Sequence, residues 1–358
     1  MSIAVHRPST DVRLDQVHYA IRAYFAERTH SASRYGPEFT ELWRIATATV
    51  LGGKLVRPRL VMAVHSALTD DDGPAPSPVV NAAAAVELLH YSFLLHDDVI
   101  DGDLMRRGQL NLIGEVAAGL ATTADRTAAL HWATTSGILM GDLMLSGVYQ
   151  LIAELDAPAS VRSRLTRVLG EAIDETVAGE HADVGLAHGA IAPDLGTILA
   201  MEANKTATYT FCLPLAFGAI LADADAATVR ALTRAGRHLG LSFQLQDDLL
   251  SVFGEPSRHG KDEVSDLREG KMTALIAHAR DTRQWRDIHP YLGRRDLTRM
   301  EVRRVRTLLE ECGAKAEIER HIDEAMEGFA VAVGDAAVPE RAREDLSALA
   351  ASLRGRSA

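Results

Sequence analysis

The sequence has 358 residues, of which 47% are hydrophobic and 24% are charged, as in a globular protein and unlike a disordered or collagen-like chain. The net charge of −11 argues against a protein that binds nucleic acid through phosphate contacts. Cys212 and Cys312 are the only cysteines, too few for a disulfide framework or a cysteine-rich metal site.

Neither a signal peptide nor a transmembrane segment is expected. The first fifteen residues lack the apolar segment that a signal peptide requires. The most apolar stretch, Val79 to Ile100, carries glutamate, histidine and aspartate side chains and so differs from the roughly 20 apolar residues of a membrane span. We therefore expect a cytoplasmic protein.

Helical periodicity dominates the chain. Apolar residues recur at three- and four-residue spacing in nearly every window, which predicts an all-α protein. Breaks rich in glycine, proline or polar residues fall at 52–53, 69–78, 188–193, 254–270 and 289–290. The segments between them that predict one or more helices are 79–101, 124–153, 160–185 and 195–253. No break is long enough to be an interdomain linker, so we predict a single all-helical domain over residues 1–358, a large helical bundle around a deep central cavity.

The first chemical signal is an acidic cluster at the end of the segment 79–101. Asp97 and Asp101 lie four residues apart and share a helix face, where like charges repel each other unless a counter-ion is present. An apolar run, residues 91–95, precedes them, so part of this helix is buried. Carboxylate oxygens are the ligands that Mg²⁺ prefers, and the waters that Mg²⁺ retains can be replaced by a substrate phosphate.

A second acidic cluster follows 150 residues later. Gln244, Asp247 and Ser251 fall on one helix face, and Asp248 follows Asp247 directly. One acidic pair can be a solvated surface feature, but two pairs at the ends of apolar helices predict a metal clamp around a diphosphate.

Basic residues stand beside these clusters and at the breaks. Lys54 and Arg57 precede Pro58, which can begin a helix whose free N–H groups favour an anion. The other basic residues in such positions are Arg106, Arg107, Lys205, Lys261 and Lys271. Each alone is more often a surface charge, but their placement beside the aspartates indicates an anionic substrate.

In this order and spacing, the motifs resemble those of trans-isoprenyl diphosphate synthases of the polyprenyl synthetase family, most closely a short-chain geranylgeranyl diphosphate synthase. The motifs are GGKxxRP at 52–58, HxxxxxHDDxxD at 90–101, RRG at 106–108, GD at 141–142, KT at 205–206, FQxxDD at 243–248 and SDLREGKxT at 265–273. The resemblance implies a Mg²⁺-dependent prenyltransferase that condenses isopentenyl diphosphate with allylic diphosphates, usually as a homodimer.

The resemblance also implies a role for each matching residue. The Mg²⁺ ligands are Asp97, Asp101 and Asp247, with Asp98 and Asp248 assisting through water. The residues that neutralise the allylic diphosphate are Arg106, Lys205 and Lys261. The residues of the isopentenyl diphosphate pocket are Lys54, Arg57, His90 and Arg107. The polar groups near the allylic cation are Thr206 and Gln244.

The resemblance further implies that product length depends on the two residues four and five positions before the first aspartate, Phe93 and Ser92. Phe93 lies one turn before Asp97 on nearly the same face, although an ordinary core phenylalanine would lie there too. A single large residue beside a small one favours a C20 product, geranylgeranyl diphosphate, over C15 farnesyl diphosphate.

Two departures from the family pattern leave alternatives open. Leu55 replaces an arginine of the first basic motif, and Ser251 replaces a third aspartate of the second acidic motif. With Ser251 and Glu255, the sequence also fits a metal motif of class I terpene cyclases, although Pro256 predicts that Glu255 lies beyond the helix. A non-catalytic subunit of a heteromeric synthase is a further alternative, but such subunits usually lack part of an aspartate motif.

Overall fold

The computed structural model describes residues 8–50, 53–120, 125–254 and 264–354. The chain is 81% helical, and the described residues contain only two strands, of two residues each. The prediction of an all-α protein is therefore confirmed. The chain forms two compact units, one of Met1–Arg167 with Phe217–Ala224 and one of Val168–Ala216 with Asp225–Ala358. The single-domain organisation stays a prediction.

In its described residues, the first unit contains six helices, the start of a seventh, a hairpin and the end of the later helix Leu213–Leu221. Its elements are α1 Pro8–Ala32, a 3₁₀ turn Ser33–Tyr35, α2 Pro37–Val50, α3 Val56–Thr69, α4 Ser77–Asp101, β1 Met105–Arg106, β2 Gln109–Leu110, α5 Leu112–Leu120, α6 Arg126–Ala153 and the beginning of α7 Ala159–Ala187. An aromatic cluster in its core joins α1, α2 and α4 through Phe25, Trp43 and Tyr91.

Helix α4 lies at the centre of the first unit because small residues let its neighbours approach closely. A Cβ atom on Gly141 of α6 would stand 2.3 Å from Nε2 of His96, and one on Gly137 would stand 3.0 Å from Cγ2 of Val99. The most apolar part of α4 is 72% buried and that of α6 is 44% buried, although both helices are long and apolar enough to cross a membrane by length and composition alone. Helix α4 is thus a core helix that carries the first acidic cluster at its C-terminal end.

The hairpin that follows α4 is closed by a two-residue turn. Met105 pairs with Leu110 and Arg106 with Gln109, which leaves Arg107 and Gly108 as the turn. Both have positive φ, 54° and 76°, as a type I′ turn requires. A non-glycine residue in this conformation costs about 1 kcal/mol, so Arg107 is held in place at a cost to stability.

The second unit contains most of α7 and the remaining helices. They are α8 Leu195–Glu202, a π-helix Ala203–Cys212, the start of α9 Leu213–Leu221, α10 Ala226–Phe253, α11 Ser265–Glu269, α12 Ala274–Arg280, α13 Trp285–Ile288, a 3₁₀ turn His289–Tyr291, α14 Arg299–Glu311, α15 Ala314–Val333 and α16 Glu340–Arg354. Leu245 on α10, Leu275 on α12 and Ile318 on α15 are fully buried in its core.

The π-helix lies against two helices at glycines. A Cβ atom on Gly179 of α7 would stand 2.3 Å from the backbone nitrogen of Lys205, and one on Gly240 of α10 would stand 2.5 Å from Cα of Ala207. Wide π turns are rare and occur mainly at functional sites. Cys212, the last π residue, is deeply buried, which raises the pKa of its thiol to about 12 and leaves it unreactive.

Candidate active site

The four residues predicted for the isopentenyl diphosphate pocket surround one cavity in the first unit. Lys54, Arg57, His90 and Arg107 line this cavity of about 260 Å³, which we call the cation pocket. Arg57 lies in the first turn of α3, Arg107 in the hairpin turn and His90 on α4. Lys54, Arg57 and Arg107 thus bring positive charge to one small space beside His90, which suits a diphosphate.

Leu55, one of the two departures, also lies at the cation pocket. It immediately precedes α3, its side chain is only 4% exposed, and its backbone is left-handed, with φ of 48°. The conformation is strained for leucine, and such strain is typical of functional sites. Because the buried side chain contributes no charge, Lys54 and Arg57 supply the basic residues of this segment.

Glu87 is a buried acid in the cation pocket that the sequence analysis missed. It is 4% exposed, and its Oε2 atom has no hydrogen-bond partner in the described part of the chain. Burial raises the pKa of its carboxyl, although Arg57 and Arg107 oppose that shift. A lone glutamate three residues before His90 gave no signal in the sequence, because its meaning depends on the arginines that the fold brings to it.

His90 is neutral at physiological pH. Burial first, and then the positive charges of Arg57, Arg106 and Arg107, lower the pKa of its imidazole well below the usual value. The ring can therefore donate one hydrogen bond to an anion without adding a further positive charge.

The first aspartate cluster separates into two kinds of carboxylate. Asp101 is exposed and Asp97 is 27% exposed, so both are accessible from solvent, one turn apart at the end of α4. Asp98 is 3% exposed and binds Arg106. The pair predicted to ligate metal is therefore accessible, while the residue predicted to assist is buried.

Arg106 binds this cluster directly. Its Nη2 lies 2.6 Å from Oδ1 of Asp98 and 3.1 Å from Oδ2 of Asp97. Burial raises the pKa of Asp98 even though Arg106 opposes this shift, so the carboxylate depends on the guanidinium for its charge. The residue predicted to neutralise the allylic diphosphate is thus anchored between two carboxylates of the first motif.

The second aspartate cluster is arranged differently. Asp247 is half-buried on α10, and Asp248 is 3% exposed and accepts a hydrogen bond of 2.9 Å from Nε2 of Gln244. The hydroxyl of Ser251 is also buried and donates to the backbone carbonyl of Asp248 at 2.9 Å. Ser251 therefore satisfies its own helix and is not aimed at a ligand.

Glu202, at the end of α8, is the second acid that the sequence analysis missed. It is 4% exposed, its Oε1 accepts a hydrogen bond from the N–H of Ala274, and it interacts with Asp248. Burial and the adjacent Asp248 raise the pKa of Glu202 well above its usual value. Burial alone would lower the pKa of Lys271, but Asp266, Asp183 and Asp248 raise it, so this lysine stays charged.

Lys205 is held by two acids of α7. Its Nζ lies 2.6 Å from Oδ2 of Asp183 and 2.8 Å from Oε2 of Glu180. Thr206 follows it in the π-helix and is half-buried. Asp183 and Glu180 were not predicted, because on the sequence they are ordinary helix-surface acids.

Three predicted residues remain to be placed. Ser92 is fully buried and donates a hydrogen bond of 2.8 Å to the carbonyl of Gly141, and Phe93 beside it is half-buried. Lys261, predicted to bind the allylic diphosphate, lies outside the described residues, as do Gly52 and Glu255.

The accessible carboxylates fit a hard divalent cation. Asp97 and Asp101 offer oxygen ligands one helical turn apart, which is the donor chemistry of Mg²⁺. In the described ranges, no group of three or more histidine, cysteine, aspartate or glutamate residues could hold a metal by itself. A bound Mg²⁺ would therefore also need oxygen ligands from water or substrate, as is usual for this ion.

Comparison with known proteins shows the family of the chain. The family model described as polyprenyl synthetase matches residues 40–309. Geranylgeranyl diphosphate synthase of Mycobacterium tuberculosis is 33% identical over 82% of this chain and 79% of its own length. A (2E,6E)-farnesyl diphosphate synthase of Mycobacterium bovis is 32% identical over 83% of this chain and 78% of its own.

Solved structures show the same fold. Geranylgeranyl pyrophosphate synthase of Corynebacterium glutamicum, crystallised with isoprenyl diphosphate and magnesium, superposes with a TM-score of 0.84 and 26% identity over 98% of this chain and 99% of its own. A polyprenyl synthetase of Streptomyces coelicolor superposes with a TM-score of 0.78 and 25% identity over 97% of both chains. The chain belongs to the polyprenyl synthetase family and is by class a trans-prenyltransferase.

Proposed function

We propose that the protein is a Mg²⁺-dependent geranylgeranyl diphosphate synthase, which condenses isopentenyl diphosphate head-to-tail with allylic diphosphates to a C20 product. The observation that carries the proposal is the cation pocket, in which Lys54, Arg57, Arg107 and neutral His90 surround a cavity of about 260 Å³. Such a pocket suits a substrate diphosphate that is bound without a metal.

The allylic diphosphate is assigned to the aspartate clusters. Asp97, Asp101 and Asp247 would hold Mg²⁺, which when bound neutralises the charge that develops on the leaving diphosphate. Asp98 would keep Arg106 in place beside Asp97, and Lys205 would add a positive charge that Asp183 and Glu180 position. These groups stabilise the diphosphate as the allylic C–O bond breaks.

The remaining steps form the new bond and release a proton. The double bond of isopentenyl diphosphate attacks the allylic carbon, and the proton lost from the adduct passes to the departed diphosphate. Thr206 and Gln244 are assigned to the surroundings of the cation. Nε2 of Gln244 donates a hydrogen bond to Asp248, so the oxygen of the same amide points away from Asp248.

The C20 product is proposed from Phe93 and Ser92, with C15 farnesyl diphosphate as the alternative. Relatives of similar identity are named for both products. Ser92 is bonded to α6 and contributes little bulk, which leaves the ring of Phe93 as the larger obstacle.

Two features of α10 disfavour a terpene cyclase. The hydroxyl of Ser251, which a cyclase would use as a metal ligand, is bonded to its own helix. The helix ends at Phe253, and the backbone of Gly254 is extended, with ψ of 159°. A non-catalytic subunit is disfavoured because both aspartate pairs are present and Asp97 and Asp101 are accessible.

We also propose a cytoplasmic homodimer. Helix α6 exposes several large apolar side chains, namely Leu130, Trp132, Ile138 and Leu139. A second copy that covers this face would remove the apolar surface from water.

The proposed product is tested by supplying isopentenyl diphosphate, Mg²⁺ and farnesyl diphosphate and sizing the products. We expect the wild type to stop at C20 and Phe93→Ala to extend to longer chains, because the ring no longer blocks the cavity. Phe39→Ala, which removes a half-buried ring from α2, is the control and should keep the C20 product. An unchanged distribution in Phe93→Ala would remove Phe93 as the determinant, and a wild-type product of C15 would replace the proposed synthase with the alternative.

A further inference from the structure

Glu87 places an acid inside a pocket that is assigned to an anion. Its side chain is 4% exposed and lines the cation pocket, which Arg57 and Arg107 also line. A carboxylate there repels the diphosphate of isopentenyl diphosphate, which would enter the same space of about 260 Å³. The charge of this acid therefore opposes binding of the ligand unless that charge is lost when the ligand enters.

The two oxygens of the Glu87 carboxyl have different surroundings. A Cβ atom on Gly53 would stand 3.1 Å from Oε1, so this oxygen lies against the segment that leads to Lys54 and Arg57. Oε2 is buried, and none of the residues that the structure describes gives it a hydrogen bond. A buried carboxylate oxygen without a donor is destabilising, because water no longer solvates its charge. A proton on Oε2 would remove both this penalty and the repulsion of the diphosphate.

Charged and titratable groups from several elements surround this acid. Those in the cation pocket are Lys54, Arg57, His90 and Arg107. Glu87 also lines an adjoining cavity of about 460 Å³, whose further charged and titratable residues are Arg44, Tyr91, Asp98, Arg106 and Glu115. Lysine, arginine and tyrosine already carry their protons at neutral pH, Asp98 binds Arg106, and Glu115 is exposed. A proton taken up in the cation pocket when an anion binds would therefore lie on Glu87 or His90.

Burial favours Glu87 over His90 as the place for this proton. A proton on His90 creates a buried cation, and burial, together with the nearby arginines, lowers the pKa of its imidazole well below the usual value. A proton on Glu87 instead removes a buried charge, and burial raises the pKa of its carboxyl. Arg57 and Arg107 oppose that rise, and a bound diphosphate offsets their charges.

We propose that Glu87 takes up a proton from solvent when isopentenyl diphosphate binds, and that Oε2 then donates a hydrogen bond to the bound diphosphate. In the empty pocket the carboxylate offsets the charges of Arg57 and Arg107. In the filled pocket the neutral acid leaves both charges to the ligand. Because binding takes up a proton, the affinity falls as the pH rises. The proposal rests on the proposed function, which assigns the cation pocket to isopentenyl diphosphate.

The test is calorimetric titration of the full-length protein with isopentenyl diphosphate in EDTA, which prevents metal-dependent binding. Titrations in buffers with different heats of ionisation give the number of protons taken up per ligand bound. Protons that the ligand itself releases are the same for wild type and Glu87→Gln, so the difference between them reports Glu87. At about pH 7 we expect the wild type to take up about one proton more than Glu87→Gln. Its Kd should rise up to about tenfold more per pH unit than that of the variant.

Two further variants separate charge from hydrogen bonding. Glu87→Gln keeps a donor without the charge and should bind isopentenyl diphosphate at least as tightly as the wild type. Glu87→Leu has neither charge nor donor and should bind it about tenfold more weakly than Glu87→Gln. Glu115→Gln, which removes an exposed acid of the adjoining cavity, is the control and should take up as many protons as the wild type.

Equal proton uptake by the wild type and Glu87→Gln would overturn the proposal. Loss of the uptake in His90→Gln but not in Glu87→Gln would place the proton on the imidazole instead. Binding by Glu87→Gln that is as weak as that of Glu87→Leu would show that the carboxylate acts by ordering the arginines. If Glu87→Gln does not fold, the wild type decides alone. An absence of net uptake at about pH 8, where the ligand is fully ionised, would overturn the proposal.

Failure of the proposed function is seen separately. If the wild type with Mg²⁺ and dimethylallyl diphosphate incorporates no isopentenyl diphosphate into product, the synthase assignment fails whatever the titrations show. If it incorporates isopentenyl diphosphate but proton uptake does not depend on Glu87, only the proposal for Glu87 fails.

Discussion

The two aspartate clusters share an Asp-Asp pair at the end of an apolar helix, yet their second aspartates are stabilised in opposite ways. Asp98 is paired with a guanidinium, at 2.6 Å from Arg106. Asp248 instead interacts with a second buried acid, Glu202, and receives an amide hydrogen bond from Gln244. The first cluster keeps its charge through a direct ion pair. The second favours a shared proton, because two adjacent buried carboxylates resist full ionisation even though the positive charge of Lys271 lowers the pKa of Asp248.

The first aspartate of each pair, Asp97 or Asp247, is placed to bind metal. The second aspartate, Asp98 or Asp248, supports it through different partners in the two clusters. Asp97 and Asp247 are both partly accessible, and Asp98 and Asp248 are both 3% exposed. The comparison therefore predicts that changes at the first position affect catalysis, and that changes around the second position affect stability.

The largest expected effect is on catalysis. Asp97→Ala and Asp247→Ala should each lower kcat by about 10³-fold, because each removes a carboxylate assigned to Mg²⁺. Asp103→Ala, at an exposed position just beyond α4, is the control and should be near wild type. A near-wild-type rate in either of the first two variants would contradict the assignment of that residue.

Removing the cation of the first cluster should lower stability in addition to its effect on catalysis. Arg106→Met should lower the free energy of unfolding by about 2 kcal/mol, because it leaves Asp98 buried without its ion pair while a third of the arginine side chain is exposed. Urea denaturation measures the change. Adding Asp98→Asn to Arg106→Met should recover part of the lost free energy of unfolding. A double variant less stable than Arg106→Met would show that loss of the Arg106–Asp98 ion pair is not the cause.

The hairpin turn offers a smaller and more selective effect. Arg107→Gly should raise KM for isopentenyl diphosphate about tenfold with little change in kcat, because it removes one charge from the cation pocket and keeps the positive φ of the turn. Steady-state kinetics with isopentenyl diphosphate varied separates the two constants. A fall in kcat at constant KM would place Arg107 on the allylic diphosphate instead.

The smallest effect concerns the acid pair of the second cluster. The raised pKa of Glu202 means that the folded protein holds this proton more tightly than the unfolded chain, so the associated stability is complete below about pH 4.5 and is lost as pH rises. Glu202→Gln removes that loss. Its free energy of unfolding should exceed that of the wild type by about 1 kcal/mol at pH 8, and the difference should shrink toward pH 5.

Unfolding of Glu202→Gln in urea at several pH values measures this difference. Glu327→Gln, at an exposed position of α15, is the control and should show no such pH dependence. A Glu202→Gln difference that grows as the pH falls would contradict the shared-proton account.

Much of the fold could be predicted because long helices leave strong periodic signals. The predicted segment 79–101 corresponds to Ser77–Asp101, and 160–185 to Ala159–Ala187. The hairpin could not be predicted, since two strands of two residues leave no alternation and Arg-Gly is an uncommon turn. The π-helix depends on backbone contacts at Gly179 and Gly240, which are distant in sequence.

Site residues could be predicted where a family motif names them. Lys54, Arg57, His90 and Arg107 were grouped by family motif, and the fold places them around one cavity. Glu87 and Glu202 were missed because a single glutamate in a helix is usually solvated. Their roles arise only from burial beside arginines in one case and beside Asp248 in the other.

The most direct test of the central claim is whether two substrates are joined. The purified protein is incubated with dimethylallyl diphosphate, labelled isopentenyl diphosphate and Mg²⁺, and with each diphosphate alone. We predict labelled prenyl diphosphate only when both substrates and Mg²⁺ are present. Mg²⁺-dependent release of diphosphate and a hydrocarbon from an allylic diphosphate alone, without incorporation of the label, would contradict the account.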